Sequence, residues 1–228
     1  MMDTRYKRVH WGTGQVRLMT SDAYWRETIR WNAEAERLGR RMRVFVASLA
    51  DVMDHEAPAG ARERLFELIR QTPYLDWLIL TKRPQNFRRF LPWMLDGSEP
   101  YPNVWLGVSV ENRTEALRRI PILRQTPATL RFISAEPLLG ELGNLDLAGV
   151  HWTICGGESG GGARSMDLQW ALNLHEQCRS QDVAFFMKQL GSQPTENGRL
   201  YQITRGKGGN LPEMPASLRV RDLPLINH

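Results

Sequence analysis

Cysteine is scarce in this chain of 228 residues, which contains only Cys155 and Cys178. The two cysteines form neither a disulfide framework nor a CxxC pair, and such a composition fits a reducing, cytoplasmic location. The chain also lacks an apolar run that approaches the roughly 20 residues of a membrane span. Its first residues, MMDTRYKRVHWGTGQVR, lack the apolar core of a signal peptide. These absences predict a cytoplasmic protein without a membrane partner.

Several catalytic motifs are missing as well. The sequence contains no GxxxxGK[ST] P-loop, and its five histidines show no HxxxH or HExxH spacing, which disfavours a zinc hydrolase. The segment 157–161, GESGG, matches the GxSxG pattern of a nucleophile elbow around Ser159. Only His151, His175 and Asp167 lie near it in sequence, so this lone match is weak evidence for a hydrolase.

Apolar strands and helices alternate along the chain about six times, at roughly 25–30 residues per unit, which is typical of parallel βα units. The strands are apolar on both faces, as in a sheet covered by helices. Because no dinucleotide fingerprint follows the first strand, the pattern favours a partial (β/α) barrel, an α/β fold of about six parallel units. The predicted strands are 44–50, 77–80, 104–110, 130–134, 150–155 and 183–187.

The predicted helices lie between these strands, at 61–71, 85–95, 114–124 and 168–180. A further helix, capped at residues 20–22 and ending near Leu38, precedes the first strand. Residues 1–191 are therefore predicted to form a single barrel-like domain with an N-terminal helical extension. Gly, Pro and Asn dominate from residue 192 to residue 228, which predicts a mostly irregular tail packed on the domain.

Polar or charged residues follow every predicted strand. Parallel strands end on one face of their sheet, where the active sites of α/β folds lie, so these residues are expected to line one rim. Carboxylates could bind amines, ribose hydroxyls or a cation, and Lys or Arg could hold a carboxylate or phosphate. For each residue alone, a helix cap or a solvated loop charge is the alternative. The candidates are Asp51, Lys82, Arg83, Glu111, Asn112, Glu136, Glu158, Ser159, Lys188 and Gln189.

The segment 150–162, VHWTICGGESGGG, runs from an apolar strand directly into glycines and a carboxylate. Gly156 and Gly157 would let backbone approach a ligand or turn through positive φ, and Glu158 would sit at the carboxyl end of the strand. A ligand-binding loop and a plain strand-to-helix turn both fit this segment. Because like charges in a cleft raise one another's pKa, the lysines and Arg83 are expected to lie among the acids.

The formal net charge of +5 mildly favours a polyanionic partner such as nucleic acid. Basic residues recur in 37–43 (RLGRRMR), 82–83, 88–89 and 118–119. Binding of a nucleic-acid backbone is one interpretation of these patches, and solvated helix faces are the other.

Five motifs resemble, in order and spacing, a phage- and prophage-borne family of uncharacterised proteins related to radical S-adenosylmethionine (SAM) enzymes. They are TKRP (81–84), NVWLGVSVEN (103–112), RFISAEPLLG (131–140), WTICGGESGGGAR (152–164) and FFMKQLG (185–191). The resemblance implies a partial (β/α) barrel with its site on the carboxyl-terminal face of the strands. It adds Arg164 to the candidate ligand-binding residues. It also implies SAM or a nucleotide-like molecule as the ligand, with nucleotide or nucleic-acid modification as the activity.

One departure from the family concerns the iron–sulfur cluster. Family members begin with three cysteines that would hold the cluster, whereas this sequence has no cysteine before Cys155, so the ligands are absent here. A late gene start, a truncation and a degenerate homologue are the competing explanations. A radical enzyme needs the missing segment; the alternative is a cluster-less binding or scaffold protein without catalysis. The substrate and the oligomeric state are not indicated by the sequence.

Overall fold

The computed structural model describes residues 17–46, 50–204 and 206–225. Its main sheet has six strands, all neighbours are parallel, and the spatial order of the strands is their order along the chain. The sheet curls into a half-barrel with accompanying helices. This confirms the predicted α/β fold and partial (β/α) barrel.

The elements follow in chain order. The first half contains α1 (Asp22–Arg37), β1 (Met42–Val46), α2 (Ala61–Gln71), β2 (Leu75–Thr81), a 3-10 turn (Pro84–Asn86), α3 (Phe87–Phe90), α4 (Pro92–Asp96), β3 (Val104–Ser109) and α5 (Arg113–Gln125). The second half contains β4 (Leu130–Ala135), β5 (Trp152–Gly156), β6 (Met166–Asp167), α6 (Leu168–Ser180), β7 (Ala184–Gln189), β8 (Pro194–Glu196), β9 (Arg199–Leu200) and two further 3-10 turns (Leu211–Glu213 and Ala216–Leu218).

The main sheet runs β1-β2-β3-β4-β5-β7, and β6, β8 and β9 form a small second sheet. The predicted strands and helices agree with these elements within a few residues, with two differences. The first strand was predicted to extend to residue 50, but residues 47–49 lie outside the described part of the chain. The helix predicted over 85–95 is broken at Leu91, which is extended (φ −80°, ψ 127°) because it precedes Pro92.

Apolar side chains fill both faces of the curled sheet. The larger cluster combines one face of the sheet with residues of the helices. The smaller cluster lies on the other face, because successive side chains of a strand point to opposite faces, and it contains Leu78, Trp105, Phe132 and Trp152 among others. Curling brings distant strands together on this second, concave face, since the rings of Phe45 on β1 and Phe132 on β4 are 6.3 Å apart.

The last described residues cover the edge of the sheet at β7. The amide of Met187 donates to the carbonyl of Val220 (2.8 Å), and the amide of Asp222 donates to the carbonyl of Phe185 (2.9 Å). Within the tail that was predicted to be mostly irregular and packed on the domain, Arg221 pairs antiparallel with Phe186 of β7. On the opposite side, no strand of the described residues pairs with the outer edge of β1. Among the described helices, none has the length and apolar character that crossing a membrane requires.

Candidate functional site

Four carboxylates near the carboxyl ends of the strands are each paired with a base. Three of the pairs connect the ends of different strands, and the fourth connects two residues of the loop after β5. They are Asp51 with Arg83 (3.0 Å), Glu111 with Lys82, Glu136 with Lys188 (2.9 Å) and Glu158 with Arg164 (2.8 Å). The bases therefore lie among the acids, and like charges do not crowd there without partners.

Asp51 is bound to the end of β2. Its Oδ1 accepts a hydrogen bond from the hydroxyl of Thr81 (2.7 Å), and its Oδ2 accepts from the amide of Lys82 (3.1 Å) and from Arg83 Nη1 (3.0 Å). The candidate residues after the first and second strands are thus brought together. The contacts also fix the direction in which the chain leaves β2.

Glu111 is the most buried of the four carboxylates and has the largest number of cationic partners. Arg119 donates to its Oε2 (2.9 Å) and to the carbonyl of Ser109 (2.7 Å), while Lys82 pairs with its Oε1. Burial acts to raise the pKa of Glu111, but hydrogen bonding and charge from Lys82, followed by the charge of Arg119, outweigh burial and lower it. Glu111 therefore carries a negative charge at neutral pH.

Arg119 is a residue of this site that the sequence pattern misplaces. The pair 118–119 was interpreted as part of a basic surface, but Arg119 is buried and binds both Glu111 and Glu115. The sequence did contain a signal for the ion pair with Glu115, because Glu115 and Arg119 are four residues apart on a predicted helix. Asn112, a candidate for ligand binding, accepts from the amide of Glu115 (3.1 Å) and so caps the amino end of α5.

Glu136 and Lys188 form an ion pair across an intervening strand. Glu136 follows β4 and Lys188 belongs to β7, and β5 lies between these two strands in the sheet. Gly156, at the end of β5, lies against Glu136: a Cβ there would be 3.3 Å from both Glu136 Oε1 and Gln189 Cγ. Such a distance is tight, so the absence of a side chain at residue 156 leaves room for the pair.

Lys188 and Gln189 were predicted to follow the last strand, but they are its final two residues. The alternation of side chains along a strand separates them: Lys188 is exposed and Gln189 is buried. Gln189 donates its amide to the carbonyl of Gly157 (2.8 Å), and the amide of Gly157 donates back to the carbonyl of Gln189 (3.0 Å). Gln189 thus holds the loop after β5 in place.

Gly157 packs against the backbone of the loop after β7, at a position where the sequence suggested contact with a ligand. A Cβ at this position would be 2.2 Å from the carbonyl oxygen of Leu190, which no real side chain tolerates. Gly191 lies opposite, with φ +87°, and the amide of Ser192 donates to the carbonyl of Glu158 (2.8 Å). The glycine is therefore explained by close packing of two loops. Gly161, by contrast, faces open space, since a Cβ added there would have no heavy atom within 4 Å.

The loop after β5 is closed by its own charges. Glu158 accepts from Arg164 through both side-chain oxygens (2.8 and 2.9 Å) and from the backbone amide of Arg164 (2.8 Å). These hydrogen bonds lower the pKa of Glu158 to about 2. Bonding to Glu158 raises the pKa of Arg164, and the charge of Glu111 adds to the effect.

The residues around Ser159 give no support to a nucleophile elbow. Ser159 is exposed, on the loop that follows the carboxyl end of β5. His151 precedes β5 at the opposite end, where its Nδ1 accepts from the amide of Arg131 (3.1 Å). His175 stacks on Phe185, with 4.8 Å between the rings. Neither histidine is positioned as the base of a serine hydrolase.

Both cysteines are buried in the larger apolar cluster. Burial raises the pKa of Cys178 to about 11 and raises that of Cys155 as well. These thiols remain protonated at neutral pH, whereas metal binding needs thiolates. Within the described ranges, no group of three or more His, Cys, Asp or Glu side chains has the geometry to hold a metal ion.

Ion pairs occupy the four carboxylates at the strand-end face. Two surface hollows, of about 490 and 440 Å³, lie elsewhere, at residues 196–202 and along α1. A ligand that binds one of the four carboxylates would have to replace its cationic partner.

Comparison with known proteins gives a family for this chain. A family model described as "Protein of unknown function (DUF5131)" matches residues 1–214. The chain belongs to this DUF5131 family. No curated protein and no solved structure matches the chain. The family membership covers every candidate residue discussed above, and it assigns no activity to any of them.

Proposed function

We propose that this DUF5131 protein is a radical-SAM-like domain that binds S-adenosylmethionine or a nucleotide-like ligand in the cytoplasm. The ligand occupies the face at the carboxyl ends of the six parallel strands. The observation that carries the proposal is the ion pair between Glu136 and Lys188, which spans Gly156 on the intervening strand. Ligands of parallel α/β sheets bind at this end of the strands, so the fold supports the same location.

The charges at this face suit a ligand that carries both signs. An ammonium group can replace Lys188 at the carboxylate of Glu136, while a carboxylate or phosphate can pair with the released lysine. Lys188 is half exposed (50%) and Glu136 is less so (19%), which leaves the lysine free to move. Lys82 and Glu111 offer a second pair of the same kind beside it. An amino-acid group such as that of SAM carries both of the charges needed.

The iron–sulfur cluster implied by the resemblance does not fit the described residues. Cluster irons are held by about three or four thiolates, and the two thiols present are buried in the apolar core with raised pKa values. The proposal therefore covers ligand binding, and no radical step is derived from these residues.

Isothermal titration calorimetry tests the proposal with SAM, S-adenosylhomocysteine and ATP as separate ligands. SAM is expected to bind the wild-type chain, and Glu136→Gln and Lys188→Met are each expected to weaken binding by about 1–3 kcal/mol, because each removes a charged hydrogen bond. Preference for ATP would assign the site to a nucleotide instead of an amino-acid-bearing ligand.

The matched control is Glu176→Gln, which removes a carboxylate paired with Arg179 on the exposed surface of α6. This variant should bind with wild-type affinity. Absence of binding for all three ligands, or equal affinity in all variants, would contradict the proposal and favour a scaffold protein.

A further inference from the structure

Four arginines lie between the last residue of α1 and the second residue of β1, and one of them, Arg41, is hydrogen-bonded to the neighbouring segment of the chain. Arg41 donates from Nε to Asp76 Oδ1 (2.7 Å) and from Nη1 to the carbonyl of Pro73 (2.6 Å), which ties the segment to β2. The other three are Arg37, Arg40 and Arg43. They are exposed, and none of them forms an ion pair with any residue in the described ranges. Three exposed cations thus lie along residues 37–43, which run from the end of α1 through a turn into β1.

An exposed aromatic ring continues this basic stretch. Phe45 is 43% exposed, and it lies on the same face of β1 as Arg43, because residues two apart in a strand point the same way. The guanidinium of Arg43 lies 6.0 Å from the ring centre of Trp105. The indole Nε1 of Trp105 is buried and has no hydrogen-bond partner among the described residues. This side of the sheet therefore places a cation, Arg43, beside an exposed aromatic ring, Phe45.

The backbone of β1 adds further donors at the same place. The amide of Met42 donates to the carbonyl of Tyr74 on the β2 side (3.2 Å). Amides alternate in direction along a strand in a parallel sheet, so those of Arg43 and Phe45 point to the outer edge. No strand of the described residues pairs with this edge. Phosphate oxygens accept hydrogen bonds from both arginines and backbone amides.

We propose that this surface, formed by Arg37, Arg40, Arg43 and Phe45, binds a single-stranded polynucleotide. The arginines pair with successive phosphates, and a base stacks on the ring of Phe45. Sequence-independent binding of single strands combines these two features, a basic track and aromatic side chains on which bases stack. The bases of a duplex are not free to stack on a side chain, so single strands are the form that the exposed ring selects. The surface is separate from the strand-end face, and the inference does not depend on the proposed function.

Fluorescence anisotropy of a labelled oligothymidylate, from low to physiological salt, tests the inference. If three phosphates are neutralised, the log–log slope of the binding constant against salt is expected to be about −2, since single strands give about −0.7 per phosphate. Arg43→Ala should make the slope shallower by about 0.7. Phe45→Leu should keep the slope and weaken binding about 5- to 150-fold, because stacking is worth about 1–3 kcal/mol per base.

Arg199→Ala is the control of equal charge, because Arg199 is exposed on β9, outside this surface. It should bind the oligonucleotide as the wild type does, and circular dichroism should show that all variants fold. An oligouridylate should bind by the same residues. No binding at low salt, tighter binding of a duplex, or an equal loss in Arg199→Ala and Arg43→Ala would overturn the inference.

Discussion

Gly157 and Gly161 belong to one glycine-rich segment but have different surroundings. A Cβ at residue 157 would be 2.2 Å from the carbonyl oxygen of Leu190, whereas a Cβ at residue 161 would meet nothing within 4 Å. Gly157→Ala is therefore expected to lower the free energy of unfolding by about 1–3 kcal/mol or more, as overpacking does. Gly161→Ala should stay within about 0.5 kcal/mol. Urea denaturation of the two variants measures the difference, and equal stabilities would refute the packing explanation.

Arg118 and Arg119 are neighbours in sequence and both bind Glu115, but only Arg119 is buried. Arg119→Met removes a buried partner from Glu111, and breaking a buried pair costs up to about 3–5 kcal/mol. Arg118→Met breaks only an exposed pair, for which about 0–1 kcal/mol is expected. Thermal or urea unfolding distinguishes the two, and a loss in Arg118→Met as large as that in Arg119→Met would show that burial is not the cause.

Glu158 provides a prediction of pH dependence. Its side-chain hydrogen bonds to Arg164 lower its pKa to about 2 from the ordinary 4.5. A lowered pKa means that the ion pair is fully formed above about pH 4.5 and is lost as the pH falls through about 2. In Arg164→Met, the pKa of Glu158 is expected to return towards 4.5. Carboxyl-carbon NMR titration measures both values, and an unchanged pKa in the variant would exclude Arg164 as the cause.

At the scale of elements, the tail covers β7 as a short antiparallel strand would. Val220 and Asp222 pair with the backbone of β7, and the carbonyl of Asp222 accepts from the indole of Trp152 (3.0 Å). Deletion of residues 220–228 exposes an unpaired edge, so lower stability and stronger self-association are expected. Deletion of residues 224–228 keeps all of these contacts and is the control. Urea unfolding and light scattering measure the effects; identical behaviour of the two truncations would contradict a covering role.

The same contacts show what the sequence could and could not predict at this scale. Alternating apolar strands and helices predicted the main elements, since those patterns are local. The pairing of residues 220–222 with β7 is a contact between distant parts of the chain, and the local pattern of neither part predicts it. A tail rich in Gly and Pro also carries no strand signal. The break at Leu91 had a local signal in Pro92, which the helix predicted over 85–95 did not take into account.

At the scale of the whole molecule, chain order predicted which residues would follow the strands, but not how they would pair. The pair of Glu136 with Lys188 depends on the curl of the sheet and on the missing side chain of Gly156. The role of Gly157 depends on Leu190, which is 33 positions further along the sequence. Such contacts are set by tertiary structure, and neither composition nor spacing encodes them. The sequence therefore predicted the position of these residues at the strand ends, but not their partners.

A crystal structure of the chain grown with SAM tests the central claim most directly, because it locates the ligand. The account predicts a ligand over Gly156, with its charged groups in contact with Glu136 and Lys188 and with the ion pair between them opened. A ligand bound elsewhere on the half-barrel, with the Glu136–Lys188 pair intact at 2.9 Å, would contradict it.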